Sequence, residues 1–267
     1  MSSVKAVVCT LFSGSSGNCT YISAGGNEFL IDAGVSTRSI KNALSDIGTD
    51  ISRISAVFLT HEHDDHIKGL EGICSKYNTA VIGNNATLNM LPEKMDKHSH
   101  LFFEMQTGSA MQSKGVRVTS FATSHDSVES VGYKIVLGDG TCIGYTTDLG
   151  YMSKSVLDML RGCQYVVIEA NHDVHMLKSG TYPEFLKRRI LSKTGHLSNE
   201  ACAETVVELM CCGTENVVLA HLSEENNDPE MAFNTIKKRL FAENTDRADN
   251  MTLQIAPKAS TLRICIV

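Results

Sequence analysis

The sequence contains no tryptophan, only four prolines, and no apolar stretch long enough to cross a bilayer. Without Pro-rich linkers, no boundary between separate domains is visible. The first 18 residues have no apolar core of signal-peptide length, so we expect a cytoplasmic protein that does not enter a membrane. Basic residues are not in excess, because the formal net charge is −6. This balance gives no support for bulk attraction to nucleic acid, although it is compatible with a local basic groove.

The nine cysteines are odd in number and scattered, with no CxxC pair. In a cytoplasmic chain, such cysteines are expected to be mostly buried thiols rather than disulfides. Cys211 and Cys212 are adjacent and fall at the end of an apolar helical stretch, so we expect both in the core.

The 267 residues suit one large domain, and they contain a coarse internal repeat. Each half has a β-hairpin that ends at an aspartate, then a helical stretch, then a buried apolar strand followed by polar residues. We predict a single domain, 1–267, made of two pseudo-repeated halves at about 1–130 and 131–267. The first half has a hairpin turn at 25–27, Asp32, a helix at 38–47 and a strand at 56–60; the second has a turn at 139–140, Asp148, a helix at 153–160 and a strand at 165–168.

Strands rich in Val, Ile and Leu are buried on both faces and need helices to cover them. A further helix, 199–210, precedes the strand 216–220 and is expected to be capped by Ser198 or Asn199. Two similar halves with hairpins predict an α/β (α+β) fold, a four-layer αββα sandwich of two mixed β-sheets. Polar residues at strand ends then gather at one edge, where sites in layered folds lie.

The segment His61-Glu62-His63-Asp64-Asp65-His66 follows a buried strand and opens a helical stretch, 67–77. Burying three histidines and a carboxylate without partners would cost several kcal/mol, and coordination to a cation removes that cost. His61 and His63 face the same side of an extended chain. Asp65 and His66 follow the turn and can reach a second cation about 3.5–4 Å from the first.

Two plainer interpretations are a solvated His-rich turn and a structural zinc site. A structural site usually closes with four ligands and favours cysteine, whereas further ligand candidates continue here at strand ends. These candidates are His125, Asp148 and His221. The pattern therefore favours a functional metal site. Because every donor is nitrogen or oxygen, the site would accept two divalent ions of zinc, manganese or iron.

The HxHxDH segment, the single downstream His and Asp, and the last His after a strand resemble the metallo-β-lactamase superfamily over nearly the whole chain. The resemblance implies that fold and a two-metal-dependent hydrolase. It places His61, His63 and His125 on one metal, and Asp65, His66 and His221 on the other, with Asp148 bridging both. Asp32 is implied to fix the loop that bears the ligands; a turn or cap role is the alternative.

Four further segments resemble the WalJ/YycJ (VicX) group, which is related to tRNase Z and RNase J. They are SGSSGN at 13–18, EANHD at 169–173, GHLSN at 195–199 and HLSEENN at 221–227. The resemblance implies a phosphodiesterase acting on DNA as a 5′-to-3′ exonuclease. Only 73 positions separate Asp148 from His221, too few for the β-CASP domain of RNase J.

The expected mechanism uses a hydroxide that bridges the two metals, with Asp65 orienting this nucleophile. His196 is the candidate proton donor to the leaving 3′ oxygen, because GHLSN matches a motif of tRNase Z; a helix-terminal residue bonded to the backbone is the alternative. Glu169 and His172 are candidates for support of the ligands or for substrate contact, or are an ordinary polar pair. The run Lys187-Arg188-Arg189 is more typical of a solvated helix face than of a phosphate contact.

The alternative enzyme function is hydrolysis of a small ester, lactone, thioester or cyclic phosphate, which the acidic net charge favours. A third function, a non-catalytic binding scaffold, conflicts with the complete ligand set. DNA is the expected substrate, and the sequence does not predict an oligomeric state.

Overall fold

The computed structural model describes residues 6–243, 245–256, 258 and 263–266, the last four through their backbone only. Residues 1–5 and 267, the outer ends of the predicted domain, lie outside the described residues. The chain divides into two compact units. Unit 1 comprises Met1–Ser120, Ser127–Val131 and Pro257–Val267, and unit 2 comprises Phe121–Asp126 and Gly132–Ala256. The single domain with two pseudo-repeated halves stays a prediction.

Unit 1 is built on a mixed sheet of seven strands in the order β14-β1-β2-β3-β4-β5-β6. Strands β14, β1, β2 and β3 pair antiparallel, and β3 to β6 pair parallel. The seven strands of this sheet are β1 (Ala6–Phe12), β2 (Cys19–Ala24), β3 (Asn27–Ile31), β4 (Ala56–Phe58), β5 (Ala80–Gly83), β6 (Phe102–Glu104) and β14 (Arg263–Ile266). The antiparallel hairpin of β7 (Ala110–Ser113) and β8 (Val116–Ala122) is separate from this sheet. The helices are α1 (Thr37–Asp46), α2 (Asp64–Ile67), α3 (Leu70–Tyr77) and α4 (Asn85–Asn89), with 3-10 turns at Ile51–Arg53 and Glu93–Leu101.

Local chemistry explains how unit 1 begins. Gly25 and Gly26 have φ values of 55° and 74°, the left-handed conformation that a two-residue hairpin turn requires, and they join β2 to β3. Helix α1 begins after Ser36, whose side chain accepts a hydrogen bond from the Ser39 amide. The side chains of α1 and α3 then pack with the sheet in a core that includes Leu30, Ile40, Leu44, Val57 and Ile73.

The strands of unit 2 also pair in a mixed sheet, because β9 and β10 are antiparallel and β10 to β13 are parallel. Its strands are β9 (Val131–Val136), β10 (Cys142–Thr146), β11 (Tyr165–Glu169), β12 (Asn216–Ala220) and β13 (Thr252–Ile255). Its helices are α5 (Lys154–Leu160), α6 (Val174–Ser179), α7 (Glu184–Ile190), α8 (Asn199–Cys211), α9 (Pro229–Phe241) and α10 (Asp246–Asn250).

Helix starts in unit 2 follow the expected capping chemistry. Ser198 caps α8 through its hydroxyl and the Ala201 amide, which confirms one of the two predicted caps. Ser153 caps α5, and Asp228 caps α9, which has a proline in its first turn. The apolar faces of these helices pack with the strands in a separate core that includes Leu160, Val206 and Ile236.

Two details differ from the sequence predictions. The helix expected at 67–77 is two helices, because the Gly69 amide donates to the Ala33 carbonyl at 2.7 Å and a Cβ at Gly69 would lie 2.4 Å from the Val35 oxygen. Of the eight cysteines whose side chains the structure describes, six are buried, Cys211 is exposed and Cys212 is half-buried. Their placement in the core was wrong: Cys211 is the last residue of α8 and Cys212 is its C-cap, beyond the buried Leu209 and Met210.

The described part of the chain has no helix with the length and apolar character needed to span a membrane.

Candidate metal centre

In unit 1, the residues after β3 and β4 form a chain of hydrogen bonds. The Asp32 carboxylate accepts from the Thr60 amide and the Thr60 hydroxyl, both at 2.8 Å. The same carboxylate lies 2.8 Å from His66 Nδ1, and Thr60 Oγ1 lies 3.0 Å from His61 Nδ1. All four residues are buried. Burial raises the pKa of the Asp32 carboxyl, and His66 and Thr60 offset this shift only in part.

One assignment of protons satisfies these contacts. His61 Nδ1–H donates to the Thr60 hydroxyl, that hydroxyl donates to Asp32, and His66 Nδ1–H also donates to Asp32. Both imidazoles then carry their proton on Nδ1 and present the lone pair of Nε2, the form of histidine that binds a cation. A carboxylate that fixes a histidine in this way is the usual support of a metal ligand.

The other atoms of unit 1 have the spacing of ligands on a cation. His61 Nε2 lies 3.1 Å from His63 Nδ1, and His66 Nε2 lies 3.5 Å from Asp65 Oδ2. Two nitrogen ligands of a tetrahedral zinc ion are about 3.3 Å apart, given a Zn–N distance of about 2.0 Å. We call Asp32, His61, His63, Asp65 and His66 the unit-1 cluster, and its donor set fits a divalent cation.

Asn18 is a member of this neighbourhood that sequence reasoning did not single out. Its amide nitrogen contacts the Gly14 carbonyl at 3.1 Å, His66 Nε2 at 3.1 Å and Asp65 Oδ2 at 3.3 Å. Its backbone N–H donates to the Asp65 carbonyl at 2.8 Å. The SGSSGN segment therefore holds the first turn of α2. The sequence identified this segment as a family motif, but not the contact that its Asn18 makes.

Unit 2 has a corresponding carboxylate in Glu169, the last residue of β11. Its Oε1 lies 2.8 Å from both His196 Nδ1 and His221 Nδ1. Its Oε2 accepts from the Leu149 and Leu197 amides, each at 3.0 Å. Burial alone would raise the pKa of Glu169, but the charges and hydrogen bonds of His196 and His221 outweigh it and hold this pKa well below the usual value.

Asp148 lies at the centre of the histidines of unit 2. Its Oδ1 is 3.4 Å from His221 Nε2, 3.7 Å from His196 Nδ1 and 3.9 Å from His125 Nε2. His125 Nδ1 lies 3.1 Å from the Gly195 carbonyl and donates to it, so Nε2 is again the presented atom. Burial lowers the pKa of His125 although Asp148 opposes this shift, which favours the neutral ring that binds metals.

We call His125, Asp148, Glu169, His196 and His221 the unit-2 cluster. One donor atom from each of Asp148, Glu169, His196 and His221 lies within 4.8 Å of the others. The hydrogen bonds of Glu169 to ring Nδ1 atoms suit a supporting role, and the imidazole Nε2 and Asp148 oxygens suit a divalent cation.

Three residues of the clusters have left-handed backbone conformations. The φ values are 60° for Asp32, 57° for Asp148 and 55° for His221. Such conformations are strained for residues other than glycine and concentrate at functional sites. Asp32 and Asp148 each follow the second strand of a hairpin, so the same strained position recurs in both units.

The motifs EANHD, GHLSN and HLSEENN meet in unit 2. Asn171 donates to the His221 carbonyl at 2.9 Å, and Asn227 donates to the carbonyls of Ala170 and Asn171 at 2.9 and 3.0 Å. His172 is buried, and neither of its ring nitrogens has a hydrogen-bond partner among the described residues. Sequence reasoning named His172 but not Asn171 or Asn227, whose role depends on contacts more than 25 residues apart in the chain.

Comparison with known proteins gives the family. Residues 27–222 match the family model of the beta-lactamase superfamily domain. The exodeoxyribonuclease WalJ of Streptococcus pneumoniae is 36% identical over 245 residues, which cover 90% of each chain. The exodeoxyribonuclease YycJ of Bacillus anthracis is 34% identical over 231 residues, 86% of this chain and 87% of the relative.

Among solved structures, the short form of human tRNase Z matches with a TM-score of 0.67 and 17% identity, over 98% of this chain and 99% of that one. Likeness at this identity shows the fold alone. The prediction of a metallo-β-lactamase fold with two mixed sheets is thereby confirmed, and the relatives confirm the prediction of a metal-dependent hydrolase. The chain belongs to the metallo-β-lactamase superfamily, and within it to the family of WalJ and YycJ.

Proposed function

We propose that the chain binds two divalent ions and degrades DNA as a 5′-to-3′ exonuclease. The seven ligands are those that the family resemblance implies: His61, His63, Asp65, His66, His125, Asp148 and His221. The DNA substrate is supported by the names of WalJ and YycJ, which are called exodeoxyribonucleases. When bound, the ions would lower the pKa of water and neutralise phosphate charge, and zinc, manganese and iron all suit the donor atoms.

One observation carries the proposal. In each unit, a buried carboxylate lies 2.8 Å from Nδ1 of a ligand histidine, Asp32 with His66 and Glu169 with His221. Such pairs fix the Nε2 lone pair for a cation, and they would have no purpose in a solvated His-rich turn. Both carboxylates are fully buried, which makes their placement costly unless a positive charge is nearby.

Two residues are proposed to act on the substrate. The Asp65 side chain is 28% exposed, unlike its buried neighbour His66, and it can orient the attacking water. The His196 side chain is 15% exposed, and Glu169 holds its Nδ1. This bond leaves Nε2 of His196 as the atom that exchanges a proton with the leaving 3′ oxygen.

We also propose a cytoplasmic location. The eight cysteines whose side chains the structure describes form no disulfide, as is usual in a reducing compartment.

The test is digestion of 5′-phosphorylated single-stranded and double-stranded DNA with manganese, using DNA labelled at either end to read the direction. Wild-type protein should release nucleotides from the 5′ end, and Asp65→Asn should lower the rate at least about 100-fold. Asp64→Asn is the matched control, because Asp64 is the exposed neighbour on α2 and should keep the activity. His196→Ala should lower turnover and leave metal content unchanged.

If metal-loaded wild-type protein digested neither DNA, the exonuclease proposal would be wrong. Cleavage of a small ester, lactone or cyclic phosphate by the same sample would then favour the alternative hydrolase. Loss of metal in His196→Ala would mean that His196 is a ligand rather than a proton donor.

A further inference from the structure

The segment between α6 and α8 is basic in an otherwise acidic chain. Residues 174–199 contain five basic residues and one acidic residue, a net charge of +4, whereas the whole chain carries −6. The single acid, Glu184, lies 3.4 Å from Lys187 and is neutralised by it. Glu224 and Glu225 lie near Tyr182, before the start of α7. Arg188 and Lys193 therefore carry positive charge that these acidic residues do not neutralise.

Specific contacts hold this segment against the loop that carries His125. The Arg189 guanidinium forms two hydrogen bonds with the Asp126 carboxylate, one of them at 3.1 Å. Ser124 donates to the Lys193 carbonyl at 2.6 Å, and His125 donates to the Gly195 carbonyl at 3.1 Å. Helix α7 and the turn after it are therefore fixed directly beside the unit-2 cluster.

The same segment exposes aromatic and basic side chains to solvent. Phe185 is 73% exposed, the highest value among the large apolar residues that the structure describes. Arg188, one turn further along α7, is exposed and has no ion pair or hydrogen bond with any described residue. Tyr151 is 45% exposed and adjoins Lys193, because a Cβ on Gly150 would lie 2.3 Å from the Lys193 carbonyl carbon.

We propose that Tyr151, Phe185, Arg188 and Lys193 form an aromatic–basic surface that binds the DNA strand as it leads to the unit-2 cluster, an inference that rests on the proposed exonuclease function. Bases stack on the two rings, and the two cations contact phosphates. A single exposed apolar residue needs no explanation. Two exposed rings combined with two exposed cations are the arrangement that binds single strands without sequence preference.

The experiment measures kcat and KM on a 5′-phosphorylated oligothymidylate. Bis(p-nitrophenyl) phosphate, a small phosphodiester without a DNA strand, is the comparison substrate. Phe185→Ala and Tyr151→Ala should each raise KM for the oligonucleotide about tenfold, with a smaller change in kcat, because stacking acts on binding. Replacing Arg188 and Lys193 together by alanine should make the logarithmic dependence of binding on salt about 1.4 less steep, since each phosphate contact to a single strand contributes about 0.7.

Phe241→Ala is the matched control. Phe241 is 51% exposed on α9, and Lys237 Nζ lies 5.4 Å from its ring, so it reproduces an exposed aromatic–cation pair in the same unit. Its KM should equal that of the wild type. Unchanged KM in Phe185→Ala and Tyr151→Ala, or an equal rise in Phe241→Ala, would overturn the inference in an enzyme that still degrades DNA. Wild-type protein that cleaves only the small diester would instead overturn the exonuclease function itself.

Discussion

Glu169 is the residue on which most contacts of the unit-2 cluster converge. Its Oε2 receives two backbone N–H groups, and its Oε1 lies against two imidazole Nδ1 atoms. Only an acceptor can face the backbone groups. In glutamine the carbonyl must therefore take that side, and its NH₂ must face the imidazoles. Each imidazole Nδ1 would then have to accept a hydrogen bond from this NH₂ group, and the ring proton would have to move to Nε2. In His221, Nε2 is the atom that faces Asp148.

We therefore predict that Glu169→Gln weakens metal binding 10- to 100-fold and lowers DNA digestion by a similar factor, although the two side chains have nearly the same shape. Metal titration followed by elemental analysis measures the first effect. Glu204→Gln is the control, because Glu204 is an exposed carboxylate on α8 that pairs with Arg239. Unchanged metal affinity in Glu169→Gln would show that the carboxylate does not set the protonation of His221.

His172 makes a separate contribution that depends on pH. Burial lowers its pKa to about 4, and neither ring nitrogen has a partner among the described residues. In the unfolded chain the pKa is about 6.5, so between pH 6.5 and 4 the unfolded state binds more protons than the folded state. The contribution of neutral His172 to the unfolding free energy is fully present above pH 6.5 and is lost as the pH falls towards 4.

Replacement of His172 by phenylalanine, a ring that does not titrate, should remove this dependence. Between pH 7.5 and 4.5 the wild type should lose roughly 2 kcal/mol more unfolding free energy than His172→Phe. Urea denaturation at a series of pH values measures the difference. Parallel curves for the two proteins would contradict a neutral, buried His172.

At the scale of elements, the position of the first turn of α2 depends on close packing of the Gly34 backbone against Asn18 and Asp65. The Gly34 amide donates to the Asn18 carbonyl at 2.7 Å, and the Asn18 amide donates to the Asp65 carbonyl at 2.8 Å. A Cβ on Gly34 would lie 1.6 Å from the Asp65 oxygen and 2.5 Å from the Asn18 nitrogen. No side chain fits there unless the helix that bears Asp65 and His66 moves.

Gly34→Ala should therefore lower the unfolding free energy by about 3 kcal/mol and weaken metal binding at the same time. Thermal denaturation should show a midpoint lower by about 10 °C for a chain of this size. Gly83→Ala is the control: Gly83 is also buried, yet its Cβ would meet only ordinary contacts, Leu88 at 3.5 Å being the nearest. Equal thermal midpoints for Gly34→Ala and Gly83→Ala would contradict the close approach of Gly34 to the Asp65 carbonyl.

The elements also show what the sequence could and could not predict. The strand that precedes His61 and the cap of α8 were visible because hydrophobic runs and capping residues act within a few positions. The contact of Asn18 with Asp65 joins residues 47 positions apart, and the break at Gly69 depends on the backbone of Ala33 and Val35. Such tertiary contacts leave no periodic pattern, so sequence reasoning found the SGSSGN motif without its role.

For the whole molecule, the clusters bury polar groups whose desolvation opposes folding. Asp32, His61, His66 and Glu169 are fully buried, and Asp148 and His221 are 2% exposed. A cation that binds only the folded chain offsets this cost, and the gain is about 2.7 kcal/mol when the metal concentration is 100 times its dissociation constant. Metal content and thermal stability should therefore change together.

We predict that removal of metal with EDTA lowers the thermal midpoint by about 5–10 °C, and that zinc or manganese restores it. Calorimetry at increasing metal concentration should show the midpoint still rising after the sites are full, because mass action continues beyond saturation. Glu169→Gln should need a higher metal concentration to reach the same midpoint, whereas Glu204→Gln should follow the wild type. If elemental analysis showed metal bound while the midpoint stayed constant, the ions would have to bind the unfolded chain equally well, and the buried clusters could not be their site.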